Sequence, residues 1–493
     1  MKIKHVILAA TAALSLCAKE APVDTSKWKG FNLLEKFGSA NKPFIEEDFK
    51  LIKELGFTFV RLPLDYRSYV ISNDWYNFNE QSLKDIDQAV AWGEKYNLHV
   101  SINLHRGPGY CINPPAEKLD LWTDETALKA FCDHWRMFAK RYLPISRERL
   151  SFNLLNEPAR AKPEQYYKVF GAAIASIHEI DPKRLIIVDG MNVGNTPYKD
   201  FASMDYVIQS TRGYHPGSVS HYRASWNKGW ETMPMPVWPP KQAIPGYLYG
   251  SDKAKDGLQS PLILRGSFPA GTVITYTVNV VSRKATVVSK ADGTQFYEKV
   301  FEPKDGAGEW TKVIFKPEYN LYQNVYDKVF SVKTVADAKE LSLENTDGDW
   351  MTIDELRIQT PAGMVSAFAT DKSWGKKHSP LTINADGTLA SQRKDPEQTL
   401  DDYLEPWLAI QKDGVSVIAG EWGCYNKTPH AIALAWMRGW LKRYNANGIG
   451  WALWNFRGSF GILDSDRTDV QYEEWNGHKL DRKMLELLKE NIK

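Results

Sequence analysis

Two glutamates follow apolar runs in positions that suggest chemistry rather than packing. Glu157 lies near the end of SFNLLNEPAR (151–160), and Glu421 lies near the end of VIAGEWG (417–423). A carboxylate at the end of a buried strand is costly unless it has a partner or a function. Two such groups brought together can work as a pair, because one donates a proton while the other attacks an electrophilic carbon or directs a water to it.

The elements that must position this pair alternate regularly from residue 28 onward. Short apolar strands are each followed by a helix-length amphipathic stretch, for example one with apolar residues at 83, 86, 90 and 93. The predicted strands are Gly30–Leu33, Phe57–Leu62, Val100–Leu104, Leu150–Leu155, Leu185–Val188, Tyr206–Gln209, Val415–Ala419 and Gly448–Leu453. Eight such units predict an α/β fold, a closed parallel (β/α)₈ TIM barrel, whose strand ends carry the site. Glu157 ends the fourth strand and Glu421 the seventh.

The alternation changes between residues 250 and 392. Here the hydrophobic period becomes two, as in ITYTVNV (274–280), and Asp-Gly turn signals separate the runs. The sequence therefore predicts an all-β sandwich (250–392) inserted after barrel strand 6, with the barrel formed by 19–249 and 393–493. The helix that follows strand 6 is predicted at about 397–412.

Composition limits the classes of function. The 493 residues carry a net charge of only +2, which argues against a nucleic-acid or membrane-surface protein driven by charge. The chain is rich in aromatic residues, with 18 Trp and 23 Tyr. Flat rings of this kind form the platforms on which sugar faces stack.

The N-terminus has the pattern of a secretion signal. Lys2 and Lys4 precede the apolar stretch VILAATAALSL (6–16), which is too short to span a bilayer. We expect a signal peptide at 1–18, cleaved after Ala18, and a secreted or periplasmic protein. The alternative is a lipoprotein with its lipid on Cys17. No other segment has the length and apolarity of a membrane span.

Three cysteines follow the predicted signal peptide, namely Cys111, Cys132 and Cys424. An odd number without paired spacing predicts neither a disulfide framework nor a zinc motif. A bridge between Cys111 and Cys132 stays open at this stage.

The barrel segments resemble glycoside hydrolase family 5, within the clan of retaining (β/α)₈ glycosidases. The resemblance rests on motifs that occur in the family's order and span about 28–249 and 393–493. They are GFNL (30–33), FVRLP (59–63), NLH (103–105), LLNEP (154–158), GEWG (420–423) and WALWNF (451–456). Asn-Glu-Pro after an apolar run, followed by a second strand that ends in Glu, is specific only as a combination.

The resemblance implies roles for individual residues. Glu157 is expected to be the general acid/base and Glu421 the nucleophile, with their carboxyl groups roughly 5–5.5 Å apart. Arg61 is expected near the nucleophile, where a fixed cation favours the ionised form. The remaining expected substrate contacts are Asn156 to the 2-hydroxyl, His105 to a sugar hydroxyl, Trp454 as the floor under the sugar, and Tyr214 as the phenol that bonds the nucleophile. The resemblance implies no metal ion and no cofactor.

One segment departs from the family pattern. The family usually has His-x-Tyr at the end of strand 6, whereas this chain has QSTRGYHPGSVSH (209–221), with Arg212 at the histidine position. His215 or His221 is an alternative histidine for the cleft. Further residues in strand-end loops are candidates for sugar subsites, namely Arg106, Tyr110, Trp122, Trp226 and Trp238.

The sequence pattern of the predicted sandwich resembles that of a carbohydrate-binding module, especially in DWMTIDELRI (349–358). Tyr319, Tyr322 and Tyr326 are its candidates for a sugar-contacting surface. The alternative is that the sandwich walls the cleft or stiffens the barrel.

These observations predict a secreted retaining endo-β-1,4-glycanase whose first expected substrate is a cellulose-like β-glucan. A β-mannanase, a xyloglucanase and an exo-acting β-glucosidase are alternatives with the same fold. The loop HRGPGYCINPP (105–115) is long enough to alter the cleft, so endo and exo action both stay open. A non-catalytic polysaccharide-binding protein is the competing class. The expected partner is a β-linked polysaccharide or oligosaccharide, without nucleic acid or a membrane span.

Overall fold

The computed structural model describes residues 22–38, 41–227, 229–233, 235–239, 243–390 and 397–492. The predicted signal peptide, including Cys17, lies outside these residues. The chain divides into two compact units, Met1–Trp238 with Thr399–Lys493, and Pro239–Gln398. Among the helices described, none is both long enough and apolar enough to cross a membrane.

The first part of unit 1 supplies six parallel strands and the helices between them. The strands are β1 Lys29–Asn32, β2 Phe59–Asp65, β3 His99–Arg106, β4 Leu150–Asn153, β5 Leu185–Asp189 and β6 Val207–Gly213. The helices are α1 Glu46–Glu54, α2 Glu80–Lys95, α3 Glu125–Arg141, α4 Pro163–His178, α5 Met191–Gly194 and α6 Gly217–Ser220.

The sequence explains why these elements form a barrel. Every residue of β1 to β6 is buried, as expected for parallel strands covered by helices. Helix α2 begins after Asn79, whose side chain caps its first turn, and it buries the predicted stripe that includes Leu83 and Ile86. Gly30 is required in β1, because a Cβ there would lie 1.7 Å from the carbonyl oxygen of Phe59.

Unit 2 consists of β-strands. They are β7 Ala243–Pro245, β8 Tyr247–Tyr249, β9 Leu262–Phe268, β10 Val273–Ser282, β11 Ala285–Ala291, β12 Thr294–Phe301, β13 Phe315–Lys316, β14 Leu321–Lys333, β15 Ala338–Gly348, β16 Trp350–Gln359, β17 Val365–Asp371 and β18 Leu381–Thr382. One sheet has the order β13-β14-β10-β16-β17-β7, with β8 also paired to β16, and the other has the order β12-β11-β15-β9-β18. Side chains of both sheets share one buried cluster, so the unit is a sandwich.

Two details of the sandwich differ from the sequence expectations. Strands β7 and β8 pair with β17 and β16, so residues 243–249 belong to the sheets of the sandwich and not to the predicted barrel segment 19–249. Tyr326 is wrong as a surface candidate, because it is buried with its ring centroid 5.4 Å from that of Phe301. Tyr319 is 70% exposed, as a sugar-contacting residue would have to be.

The chain then completes the barrel. The remaining elements are α7 Gln398–Lys412, β19 Ser416–Trp422, α8 His430–Ala446, β20 Gly450–Leu453, the hairpin β21 Glu473–Trp475 with β22 His478–Leu480, and α9 Arg482–Lys489. Strand β19 pairs with β6, and β20 pairs with β1, which closes the order β1-β2-β3-β4-β5-β6-β19-β20. The predicted (β/α)₈ barrel with a sandwich inserted after strand 6 is confirmed.

Candidate active site

A cavity of about 690 Å³ lies at the C-terminal ends of the barrel strands. Five of the seven residues predicted for the site line it, namely His105, Glu157, Tyr214, Glu421 and Trp454. Arg61 and Asn156 are almost completely buried and contact the lining residues instead. The barrel therefore brings the predicted residues together, and the structure adds partners that the sequence did not indicate.

A bulge in β19 places Glu421. The register with β6 shifts between Ala419 and Glu421, which leaves Gly420 as the extra residue. Gly420 fits because it has no side chain, since a Cβ there would lie 2.6 Å from the Oγ atom of Ser210. The bulge sets Glu421 opposite Arg212 in the barrel register.

Glu421 is held by buried donors. The Nη1 atom of Arg61 donates to its Oε1 atom at 2.6 Å. The phenol of Tyr214 lies 3.4 Å from Oε2, and the Nη2 atom of Arg212 lies 3.5 Å from Oε1. These contacts from two guanidiniums and a phenol hold the carboxylate of Glu421 in one place, as a nucleophile requires.

Arg61 is itself fixed by a set of asparagines. Its guanidinium donates to the Oδ1 atoms of Asn32 at 2.9 Å, Asn153 at 2.8 Å and Asn156 at 3.0 Å. Asn32 and Asn153 had no role in the sequence analysis. Both occupy the C-terminal ends of barrel strands, which was the available signal.

Glu157 follows β4 with a left-handed backbone conformation, φ +48°. This conformation is uncommon for a residue with a side chain, and functional sites are where it occurs most often. Its N–H donates to the Oδ2 atom of Asp189 at 2.9 Å, and its carbonyl accepts from the phenol of Tyr110 at 2.7 Å. Tyr110 therefore supports the backbone of Glu157, a role that differs from the predicted sugar contact.

The surroundings of Glu157 suit a proton donor. Burial, followed by the charge of Glu421, raises the pKa of Glu157 from 4.5 to about 7, while Arg212 opposes the increase. A carboxylic acid with this pKa still carries its proton on a substantial fraction of molecules at neutral pH. The two glutamates thus differ in environment, as an acid and a nucleophile should.

Arg212 and Asp189 complete the charged cluster beneath the cleft. Arg212 donates from Nε to Glu157 at 3.2 Å and from Nη2 to Asn156 at 2.7 Å and to the Oδ2 atom of Asp189. Asp189 also accepts from the Nδ2 atom of Asn153 at 3.0 Å. The sequence showed Arg212 only as a departure from the family pattern, and Asp189, which follows the predicted strand Leu185–Val188, received no role there.

His105 is positioned as a neutral ring. Burial, followed by the charges of Arg61 and Arg212, holds its pKa well below the usual value. The Oδ1 atom of Asn156 accepts from both arginines, so its Nδ2 atom faces the ring and donates to Nε2 of His105 at 3.2 Å. We therefore assign the proton to Nδ1, which lies 3.9 Å from Oε1 of Glu421.

Aromatic side chains line the cleft. Trp454 packs near Phe37 and His105, with ring centroids 5.4 and 5.5 Å away. Trp226 also lines the cavity and is 54% exposed. His221 lines it too, whereas His215 bonds Thr399 and stacks on Tyr403. Of the two alternative histidines, His221 is thus the one at the cleft.

The loop after β3 forms one wall of the cavity through Cys111, Asn113, Pro114 and Pro115. Arg106 fixes this loop, because its guanidinium donates to the carbonyls of Asn113 at 2.8 Å and Pro115 at 2.9 Å and to Glu117 at 2.5 Å.

The remaining subsite candidates lie elsewhere. Trp122 borders a second cavity of about 250 Å³, and Trp238 is half-buried against the barrel core. Cys111, Cys132 and Cys424 are all free, so the bridge between Cys111 and Cys132 is absent.

The chain thus forms a parallel (β/α)₈ barrel with Glu157 directly after strand 4 and Glu421 at the end of strand 7 of the barrel, counted in its own order. The comparison with protein families finds a partial match: residues 17–232 are similar to the family described as Cellulase (glycosyl hydrolase family 5). The matched residues include Glu157 and end before Glu421.

Curated relatives share part of the chain. Endoglucanase C of Acetivibrio thermocellus is 33% identical over 187 residues, which are 37% of this chain and 54% of that protein. Cellodextrinase A of Ruminococcus flavefaciens is 26% identical over 185 residues, with the same coverage of 37% and 54%. The chain therefore spans about half the length of these relatives.

Solved structures are similar to this chain as well. A crystal structure of a glycoside hydrolase shares 26% identity with a TM-score of 0.59, and the match covers 94% of this chain and 99% of that one. Endoglucanase Cel5A of Thermotoga maritima has a TM-score of 0.52 at 16% identity, covering 94% and 98%, which shows the fold alone.

Proposed function

We propose that the protein is a retaining β-glycosidase that hydrolyses β-1,4-linked polysaccharide, with endo-β-1,4-glucanase as the first activity. The observation that carries this proposal is the pair of glutamates in one cavity. Glu421 is paired with Arg61, and Glu157 carries a pKa raised to about 7. These environments fit a nucleophile and a general acid.

The proposed mechanism is a double displacement without a metal ion. Glu421 attacks the anomeric carbon while Glu157 donates its proton to the departing glycosidic oxygen, which leaves a glycosyl ester on Glu421. Glu157, now ionised, takes a proton from a water that attacks the same carbon and releases Glu421. Two inversions at one carbon retain its configuration.

The other predicted residues receive supporting roles in this proposal. Trp454 forms the floor under the sugar, since its ring lines the cavity beside His105. Asn156 has one amide hydrogen on His105, and its second is the donor proposed for the 2-hydroxyl. The neutral His105 offers its Nδ1–H to a sugar hydroxyl.

An exo-acting enzyme is the alternative with structural support. The loop fixed by Arg106 walls the cavity from Cys111 to Pro115, and a closed end would restrict binding to chain termini. Among the relatives, the one from Ruminococcus flavefaciens is named as a cellodextrinase. β-Mannan and xyloglucan remain alternative substrates, to be separated by assay.

The testing experiment is product analysis over time. Purified protein is incubated with cellulose-like β-glucan, β-mannan, xyloglucan and xylan, and the products are separated by chromatography. A ladder of oligosaccharides from β-glucan supports the endo-glucanase, and release of only mono- or disaccharide supports the exo alternative. No product from the panel or from a fluorogenic cellobioside would overturn the glycosidase proposal in favour of a polysaccharide-binding protein.

Export is part of the proposal and needs its own test. Residues 1–18 carry the basic and apolar pattern of a secretion signal. Mass spectrometry of the mature N-terminus separates cleavage after Ala18 from lipidation at Cys17. An intact N-terminus would contradict both forms of processing.

A further inference from the structure

We propose that Asp189 and Arg212 form a buried charge-balancing pair with two effects on Glu157. The pair positions Glu157, and because Asp189 partly neutralises Arg212, it determines the net positive charge next to the Glu157 carboxyl group. This inference rests on the proposed function, because it concerns the residue assigned as the general acid. Both are positioning residues in this proposal, since they act through Glu157 and Glu421 rather than on the sugar.

Arg212 is almost completely buried, and its guanidinium contacts residues in β5, β6 and β19 and directly after β4. These contacts are Glu157 at 3.2 Å, Asn156 at 2.7 Å, Ser210 at 3.1 Å, Glu421 at 3.5 Å, and Asp189. Arg212 thus joins the two catalytic carboxylates through one rigid planar group.

Asp189 also holds the backbone of Glu157. Asp189 is fully buried at the end of β5, and its Oδ2 atom accepts both from Arg212 and from the N–H of Glu157 at 2.9 Å. The same N–H belongs to a residue at φ +48°. Asp189 therefore ties the unusual backbone of the acid to the guanidinium that touches its side chain.

The charges of the buried cluster do not cancel when all of its groups are ionised. Three carboxylates, Glu157, Asp189 and Glu421, meet two guanidiniums, Arg61 and Arg212. The cluster is neutral only when one carboxyl group is protonated. Arg61 pairs with Glu421 at 2.6 Å and Arg212 pairs most closely with Asp189, which leaves Glu157 as the group that keeps its proton.

Within the part of the chain that the structure describes, Arg212 is the one cation in an ion pair with Glu157. His105 is neutral, and the nearby tyrosines are uncharged at neutral pH. The titratable or charged groups around the carboxylate pair are Arg61 of β2, His105 of β3, Tyr110 after β3, Asp189 of β5, Arg212 of β6, Tyr214 after β6, Tyr403 of α7 and Glu421 of β19.

The pair predicts opposite effects for its two members. Asp189→Asn keeps an oxygen for the N–H of Glu157 but frees the charge of Arg212, so the titration midpoint of Glu157 falls by about one unit. Arg212→Met removes the cation, and the midpoint rises. The double variant removes both charges, and its midpoint returns close to that of the unmodified protein.

The experiment measures Glu157 directly. Protein labelled with ¹³C at the glutamate carboxyl carbons is titrated by NMR, and the Glu157 signal is the one that disappears in Glu157→Gln. Asp401→Asn serves as the control, because Asp401 pairs with Arg443 at 2.7 Å outside the cleft. The control is expected to leave the midpoint unchanged.

Further variants separate charge from shape. Arg212→Lys keeps the positive charge but loses the planar guanidinium that donates several hydrogen bonds at once. We therefore expect an unchanged titration midpoint of Glu157 and a lower kcat. If Arg212→Met does not fold, Asp189→Asn and the double variant still decide the question. A midpoint that rises or stays constant in Asp189→Asn overturns the charge-balancing pair.

The titration is independent of turnover. If the protein cleaves no glycan while the midpoints shift as expected, the proposed function fails and the pair stands. If glycan is cleaved and the midpoints do not move, the pair is wrong and the glycosidase stands.

Discussion

Glu157 and Asp189 are joined by a hydrogen bond of 2.9 Å from the backbone N–H of the first to the Oδ2 atom of the second. The bond links the loop after β4 to the end of β5. It fixes the residue proposed as the proton donor through its main chain, which leaves the side chain free to face the cavity. The catalytic assignment and the electrostatics of the cleft both depend on this arrangement.

Replacing the two glutamates should give different defects. Glu157→Ala is expected to reduce hydrolysis of natural glycans by roughly 10²–10⁴-fold, because the leaving oxygen loses its proton donor. Glu421→Ala should abolish turnover on all substrates, because no covalent intermediate can form. The measurement is kcat/KM on a polysaccharide and on an aryl cellobioside with a leaving group that needs no protonation.

Azide separates the two roles further. In Glu157→Ala it should accept the sugar from Glu421 and give a β-glycosyl azide, whereas in Glu421→Ala it should replace the nucleophile and give the α-anomer. Full turnover in either variant, or exchanged anomers, would contradict the assignment of that residue. Circular dichroism of both variants checks that the barrel still forms.

The pH dependence of activity should follow the proton of Glu157. Because burial raises the pKa of Glu157 to about 7, kcat/KM is expected to fall as pH rises through that value. The aryl substrate with an activated leaving group should lose this alkaline limb. A limb that persists with the activated substrate would assign the titration to a different group.

The same pKa predicts an effect on stability. The unfolded chain ionises Glu157 near 4.5, whereas the folded protein keeps the proton until about 7, so its contribution to stability is lost as pH rises between these values. Glu157→Gln avoids this loss and should be more stable than the unmodified protein at pH 8, by about 3 kcal/mol. The difference should be smaller at pH 5. Urea unfolding at both pH values measures it, and equal differences would refute the shifted pKa.

Arg61 should contribute both to stability and to catalysis. Arg61→Met leaves Glu421 buried without its closest cation and leaves the Oδ1 atoms of Asn32 and Asn153 without the donor that Arg61 supplies. Breaking a buried ion pair in this way is expected to cost about 3–5 kcal/mol. The matched control is Arg141→Met, which breaks a pair with Asp87 on the partly exposed face of the barrel. Urea unfolding that shows equal losses for both variants would contradict the role of Arg61.

The sequence predicted the barrel well because burial imposes strong patterns. Eight apolar runs separated by amphipathic helices have few other solutions, and Glu157 and Glu421 stood out as acids at strand ends. Asp189 did not stand out, because its role depends on a contact with Arg212, which belongs to a different strand. Tyr326 was wrongly predicted to lie on the surface for a related reason. The register of a strand decides which of its faces is buried, and the sequence pattern specifies that register only weakly here.

The contacts of the Arg212 side chain could not be predicted from the sequence either. At the position where the family usually has a histidine, this chain has the longer arginine side chain. It contacts Asn156 and Glu157, which follow β4, and Glu421 of β19. Nothing in the segment QSTRGYH (209–215) indicates these partners. The bulge at Gly420 also escaped, because a register shift is a property of two paired strands rather than of one.

Gly420 provides the last test, because it makes the bulge that aims Glu421. In Gly420→Ala the new Cβ would lie 2.6 Å from the Oγ atom of Ser210, which must move away from the Nη1 atom of Arg212. We expect kcat to fall on the order of 10- to 100-fold, because Glu421 is displaced from its position for attack. Adding Ser210→Gly should restore part of the activity by making room. The matched control is Gly171→Ala in α4, where a Cβ meets no atom within 4 Å and should leave activity unchanged while stabilising the helix. Full activity in Gly420→Ala would show that the bulge does not depend on glycine.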